Sequence, residues 1–389
     1  MDGKLSEPRE ACAARHTSDL IASSALYQVL GGRRFYAACV CAICLRMDLF
    51  VTRKWPPAVG GIETYCVELT NELESHTELR KVVLPGKEDG SPPSPASLIG
   101  FAARFIFRYL RSKPPRTLHI GDLASWPLAL VTLLRSPRPN IVISVHGTDA
   151  GYAQRKHLKG KLYRAYLKAG SRLLRSAKLI SNSTATKDAA AETGWCTQRI
   201  IPLATNLQAA SPPTSCGGHI LFAGRLIPRK GCRWFVENVR TEIPVKIAGT
   251  IWDEEESEVL KHPRVEFLGP LSQEKLLSEY RRALCVVVPN IEIDGDFEGF
   301  GLVAPEAAAV GAVVLAARTG GLVDAVQDGV TGFLLAPGEP AEWASKLGEI
   351  AVWDYQRRHE FIAVSMAEAQ RRYSWSRVAE EVLEVYRSS

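Results

Sequence analysis

The sequence predicts an α/β fold of two doubly wound parallel sheets. Strand-like apolar runs alternate with helical periods from residue 47 onward, and a turn-rich stretch near the middle splits the alternation in two. In the first half, residues 48–52, 82–84, 118–120, 141–145 and 179–183 read as strands, and 67–73, 98–110, 127–134 and 158–174 as helices. In the second half the strands are 220–223, 245–248, 265–268, 285–288, 313–316 and 333–335. Residues 208–218, rich in Pro, Ser, Thr and Gly, form a linker by composition.

The length of 389 residues suits two domains. The nine cysteines are scattered and odd in number, which fits a reducing compartment better than a disulfide framework. Cys39, Cys41 and Cys44 cluster without partners at zinc spacing, so no metal site is expected. Residues 1–46 are expected to be an extension that is disordered or precedes the biological start at Met47. The apolar run at 35–45 is too short to span a bilayer and lacks a cleavage pattern, so a cytoplasmic protein is expected.

Charge is unevenly placed. Residues 47–210 carry 23 Lys and Arg against 12 Asp and Glu, whereas the chain from 211 onward carries 19 against 26. No acid lies between Asp149 and Asp188, a stretch where Lys156, Lys159, Lys161, Arg164 and Lys168 alternate with Leu158, Leu162 and Leu173. Two readings stand side by side: a basic face that rests on anionic lipid at the inner face of the plasma membrane, or a solvated face whose leucines pack on the sheet. No nucleic-acid-reading motif accompanies the charge.

The chemistry-bearing segment is E-G-F-G-L-V-A-P-E-A-A-A-V-G, residues 298–311. It follows the buried strand at 285–288 and opens a helix, since Pro305 fits only a first turn. Helix-start amides favour an anion, and the glycines 299 and 301 admit close backbone approach. Glu298 and Glu306 flank that position, each able to hold sugar hydroxyls. A second segment, G-R-L-I-P-R-K-G at 224–231, follows the strand at 220–223 and offers Arg225 and Lys230 to a diphosphate. Arg229 reads as the spare cation, because Lys230 has the better spacing.

Together these segments resemble glycosyltransferase family 4, whose pattern is G-R-L-x-x-x-K-G followed by E-G-F-G-x-x-x-x-E. The resemblance continues through Thr319-Gly320-Gly321 and Asp328-Gly329, and upstream through residues 56–65 and His146-Gly147-Thr148-Asp149. It implies a GT-B architecture of two Rossmann-like domains facing a cleft. The boundaries would be 47–207 for the acceptor-side domain, 208–218 for the linker, 219–372 for the nucleotide-sugar-binding domain and 373–389 for a helix crossing back.

The resemblance also implies a retaining transfer of a hexose, with mannose favoured, from a nucleotide diphosphate sugar to a lipid-linked or polysaccharide acceptor. The loop around Asp294-Gly295-Asp296-Phe297-Glu298 looks most like members that move mannose onto phosphoinositides. Glu298 would contact the donor sugar, Glu306 the ribose, and Arg225 and Lys230 the departing diphosphate, so that no metal cofactor is required. His146 would bond the transferred sugar, and Leu271 would sit beside the base. Gly60, Gly61, Gly299, Phe300, Gly301 and Leu302 complete the donor-binding set. Asp294 and Asp296 read as loop acids near the sugar rather than a metal pair. Asp149 either orients His146 or caps the next segment. The chain departs from the family pattern at 311–314 and at 202–204. A sugar-nucleotide epimerase and a non-catalytic scaffold share the architecture and remain alternatives. A nicotinamide dehydrogenase fits worst, because no G-x-G-x-x-G follows the first strand.

Overall fold

A computed structural model describes residues 47–58, 60–88, 91–215 and 217–388. The expectations for residues 1–46, including the cysteine cluster, lie outside them. The first sheet contains β1 (Asp48–Thr52), β2 (Leu79–Val83), β3 (Thr117–Ile120), β4 (Asn140–Val145), β5 (Lys178–Ser181) and β6 (Thr197–Ile200). Its order is β2-β1-β3-β4-β5-β6, and every pairing is parallel. β1 is buried on both faces, which is why it reads as an apolar run rather than an alternation.

The second sheet contains β7 (Ile220–Ala223), β8 (Val245–Ala248), β9 (Val265–Gly269), β10 (Cys285–Val288), β11 (Val314–Ala317) and β12 (Phe333–Leu335). It is parallel throughout, in the order β12-β11-β10-β7-β8-β9.

The helices of the first half are α1 (Gly61–Glu74), α2 (Pro95–Arg111), α3 (Gly147–Gly151), α4 (Leu158–Leu173) and α5 (Thr184–Ala191). Where the sequence suggested a helix at 127–134, the chain forms a 3-10 stretch, Leu123–Leu134. Pro127 lies inside it and lacks the N–H that an α-turn would use. The second half contributes α6 (Cys232–Asn238), α7 (Glu254–Ser257), α8 (Gln273–Arg282), α9 (Val303–Ala309), α10 (Leu322–Ala325), α11 (Pro340–Ala351), α12 (Tyr355–Arg372) and α13 (Trp375–Arg387). Ser94 caps α2 by accepting from the Ser97 amide at 3.2 Å.

Each sheet is covered on both faces. One face of the first sheet, through Phe50, Val142 and Ile180, joins α1, α13 and the second sheet in a single core. The opposite face packs Phe101, Phe105 and Tyr109 of α2, Trp126 of the 3-10 stretch and Leu167 of α4 in a separate core. α13 follows the second sheet in sequence but packs on α1 of the first, where Asn140 Nδ2 donates to the Tyr386 carbonyl at 3.0 Å.

Strand order reverses between β1 and β3 in the first sheet and between β7 and β10 in the second. Crevices outside the carboxyl ends of strands at such reversals are where doubly wound sheets bind ligands. Within two residues of those strand ends stand Arg53, Asp122, Gly224 and Asn290.

Candidate active site

The second-sheet reversal gathers a buried ion cluster around Glu298. After β7 the chain runs through Gly224 to a 3-10 turn, Pro228–Lys230, closed by Gly231 at φ +65. A Cβ at Gly231 would collide with the Pro289 carbonyl, so only glycine lets this turn lie against the end of β10. The turn aims two cations at one carboxylate oxygen. Arg229 Nη1 donates to Glu298 Oε2 at 2.6 Å, and Lys230 Nζ donates to the same oxygen. Asn290 Nδ2 adds a third bond at 3.1 Å. Burial alone would raise the Glu298 pKa, but Lys230 and Arg229 outweigh it and hold the carboxyl down at about 2.

Arg229 is therefore no spare. It is buried, and its Nε lies 3.2 Å from Asp296. Arg225 lies elsewhere: it is exposed, with its guanidinium 4.7 Å from the centroid of the Trp252 ring. Sequence reasoning passed over Trp252 and Asn290. The position of Asn290, two residues past the strand at the reversal, was the signal that could have found it. Asp294 pairs with Lys156 of the first half, so neither loop acid is left to pair with the other.

Glu306 occupies the first turn of α9 and lines a cleft of about 610 Å³ between the two halves. Gly61, Glu63 and Thr64 of α1 form one wall, and Leu271, Gln273 and Leu302 form the other. Burial raises the Glu306 carboxyl to about 7, against the pull of the neighbouring Tyr280 hydroxyl and the Lys230 charge. A smaller cavity of about 140 Å³ adjoins Arg229, Asn290, Asp296, Glu298 and Thr319. Between the two acids run Gly299, Phe300, Gly301 and Leu302. The Phe300 ring is buried edge-on to Tyr373, with centroids 6.2 Å apart, so only its backbone could meet a ligand. Gly60 stands immediately before α1, at its N-cap.

The pKa of Glu306 sets a pH dependence. Its folded value lies above the unfolded one of 4.5, so its contribution to stability is full below pH 4.5 and is lost as pH rises through about 7. Glu306→Gln keeps the neutral shape. It is expected to raise the melting temperature near pH ~8 and leave it unchanged near pH ~4 in a thermal melt. Equal shifts at both pH values would contradict the burial argument.

On the other side of the cleft, His146 caps α3 at the end of β4. Its Nε2 donates to the Gly121 carbonyl at 3.1 Å, and burial lowers its pKa to about 4. The ring is thus neutral at pH 7 and keeps Nδ1 as an acceptor. Tyr65 stands edge-on to it at 4.8 Å between centroids. Behind Tyr65 runs a buried chain of hydrogen bonds, each 2.7 Å long: Tyr65 to Ser144, Ser144 to His119 and His119 to Tyr386 of α13. Asp149 does not orient His146. Its Oδ2 accepts the Leu123 amide at 3.2 Å and so fixes the start of the 3-10 stretch. Burial, with the charge of Asp122, raises its pKa, while Arg53 opposes the shift.

The two halves meet at His146-Gly147 and Gly299. A Cβ on Gly147 would collide with the Gly299 backbone, and one on Gly299 would crowd Gly147 in return. Beside this contact, Asp324 of α10 accepts from the Thr184 amide at 2.8 Å and the Thr184 hydroxyl at 3.0 Å.

Two parallel six-stranded sheets flanking a cleft, with an anion-ready helix start on one wall, make this a GT-B fold. Solved structures agree. The chain superposes on sucrose-phosphate synthase from Thermosynechococcus elongatus with a TM-score of 0.66 at 21% identity, over 88% of this chain and 98% of that one. It superposes on Anabaena Alr3699/HepE, solved in complex with UDP, with a TM-score of 0.63 at 19% identity, over 87% and 98%. Residues 59–208 match the family described as Glycosyltransferase Family 4, and residues 217–351 match Glycosyl transferases group 1. The chain belongs to glycosyltransferase family 4. Among curated relatives, the D-inositol 3-phosphate glycosyltransferase of Nocardia farcinica is 45% identical over 124 residues, which is 32% of this chain and 26% of that protein. The match thus spans about a quarter of that relative's length.

Proposed function

We propose that the protein is a retaining glycosyltransferase that moves a hexose, with mannose favoured, from a nucleotide diphosphate sugar to a lipid-linked or polysaccharide acceptor in the cytoplasm. The observation that carries this reading is the placement of two cations, Arg229 and Lys230, at the sheet reversal beside the cleft that Glu306 lines. The HepE structures, one with UDP and another with UDP and glucose, support a nucleotide sugar as donor. The inositol phosphate in the curated relatives' name supports a polyol phosphate headgroup as acceptor chemistry.

In this reading Glu306 accepts hydroxyls of the ribose, with Leu271 beside the base. The diphosphate takes Lys230 from Glu298, which then holds hydroxyls of the transferred sugar. Arg225, on its Trp252 stack, is the further cation for the phosphates. His146 accepts a sugar hydroxyl at Nδ1. The acceptor oxygen bonds to the anomeric carbon on the face that the phosphate leaves, and its proton passes to that phosphate. Configuration is retained with no carboxylate nucleophile.

Two fixed cations stabilise the leaving group as a metal would, so the transfer is expected to persist in excess chelator within about a factor of two. Loss of turnover restored by magnesium or manganese would overturn that step. The donor assignment is tested by calorimetry with uridine, guanosine and adenosine diphosphate sugars, followed by identification of the product. Binding of none of the three would sink the reading. Interconversion of the free nucleotide sugar would favour an epimerase.

A further inference from the structure

α2 and α4 both pack against the 3-10 stretch Leu123–Leu134, so the three form one layer over the first sheet. The inward side of α2 is Phe101, Phe105 and Tyr109, spaced i, i+4, i+8. Its outward side carries a second apolar ridge, Ile99, Ile106, Phe107 and Leu110, with Ile99 70% and Phe107 60% exposed. α4 repeats the arrangement. Gly160, Leu167 and Gly170 face the core, and a Cβ on Gly170 would collide with Trp126 and Trp195. Leu158, Leu162, Ala165, Ala169 and Leu173, spaced i, i+4, i+7, i+11, i+15, form a stripe that points outward. Leu158 and Leu162 are 72% and 62% exposed. Leu158, Leu162 and Leu173 therefore do not pack on the sheet, and Leu167 alone of the helix's leucines does. Leu134, 69% exposed, lies on the stretch between the helices.

Cations flank both ridges. Between Asp89 and Asp188 the sequence holds 17 Lys and Arg, and its only acids there are Asp122 and Asp149, both buried. Arg116, Lys156 and Arg164 pair with Asp48, Asp294 and Glu192, whereas Lys159, Lys161, Lys168 and Arg172 have no ion-pair partner among the described residues. Arg111 lies over the Phe107 ring at 5.1 Å, and Lys159, Lys161, Lys168 and Arg172 border the leucine stripe. A second copy of the chain would set this cationic layer against itself. An acidic protein would match the charge but leave two separate apolar ridges to cover. An anionic bilayer accepts both, with hydrocarbon side chains at the headgroup boundary and cations among the phosphates.

The geometry points to docking of this outer layer, α2 with the 3-10 stretch and α4, on an anionic phospholipid bilayer. Lys156, two residues before α4, pairs with Asp294 across the cleft, so the docked face adjoins the rim of the site. A lipid-linked acceptor would enter there. The acceptor statement rests on the proposed transfer; the docking does not.

The test is co-sedimentation of the full chain with vesicles of phosphatidylglycerol and phosphatidylcholine, and of phosphatidylcholine alone, at low and high salt. Binding to the anionic vesicles at low salt is expected. Each neutralised cation should weaken it on the order of fivefold. Lys159→Gln with Lys161→Gln and Lys168→Gln should therefore weaken it at least tenfold, and so should Phe107→Ser with Leu158→Ser and Leu162→Ser. Failure of the parent to bind at low salt overturns the proposal. So does full binding by the apolar triple variant, or a self-association of the parent that this variant abolishes. Calorimetry with a nucleotide sugar, without vesicles, keeps the two readings apart. A parent that binds vesicles but no nucleotide sugar upholds docking and removes the transfer.

Discussion

Lys230→Ala lowers kcat by on the order of 10² to 10³ while the protein remains folded, because one preorganised charge on a leaving group is worth that much. The variant also leaves Glu298 buried with Arg229 and Asn290 as its remaining partners. Without Lys230 the balance tilts toward the burial that raises the Glu298 pKa. The parent carboxyl has a folded pKa near 2, below the unfolded value of 4.5. Its stabilising contribution is present above pH 4.5 and disappears as pH falls through about 2. The variant should lose part of it, so that acid unfolding begins at higher pH. Steady-state turnover and an acid titration followed by circular dichroism check the two effects separately. A turnover within about a factor of two of the parent would remove Lys230 from the mechanism.

Gly147→Ala is expected to cut turnover about a hundredfold, since displacement of a site by about 1 Å has effects of that size. The added methyl group collides with the backbone of Gly299, one residue after Glu298, and its own position follows His146. Neither segment can yield locally. Gly147 opens α3, whereas the Gly321 amide donates to the Glu298 carbonyl at 2.8 Å. The halves must separate instead. Small-angle scattering should show a larger radius of gyration, and donor binding should survive, because the cations proposed to hold the diphosphate all lie in one half. A variant with unchanged scattering and full turnover would show that the contact is dispensable.

The alternation of apolar runs and helical periods made the two sheets legible, since strands buried on both faces leave an uninterrupted apolar trace. β6 escaped notice because an edge strand of Thr-Gln-Arg-Ile, half exposed, has neither an apolar run nor a clear alternation. The motif glycines and acids were legible too, but the choice between Arg229 and Lys230 was not. Spacing along a turn cannot reveal that Pro228–Lys230 winds as a 3-10 turn, which presents both cations to the same carboxylate. The outward leucines of α4 were misleading for a related reason. A helical period identifies a stripe, but which stripe faces the core was decided by Leu167 and by Gly170, where a side chain would collide with Trp126 and Trp195.

α13 gives the molecule an order of assembly. A ribosome releases the chain from its N-terminus, so β1 to β6 emerge well before Trp375–Arg387, the helix that supplies Tyr386 to His119 and covers one face of their sheet. Until then that face has Phe50, Val142 and Ile180 without this cover, and the hydrogen-bonded line from His119 toward Tyr65 stops short. The wall that holds His146 is therefore completed only after the whole second sheet has been translated. A nascent chain that has finished the first sheet still lacks a finished first half, and a ribosome that stalls before residue 375 leaves apolar surface exposed to aggregation.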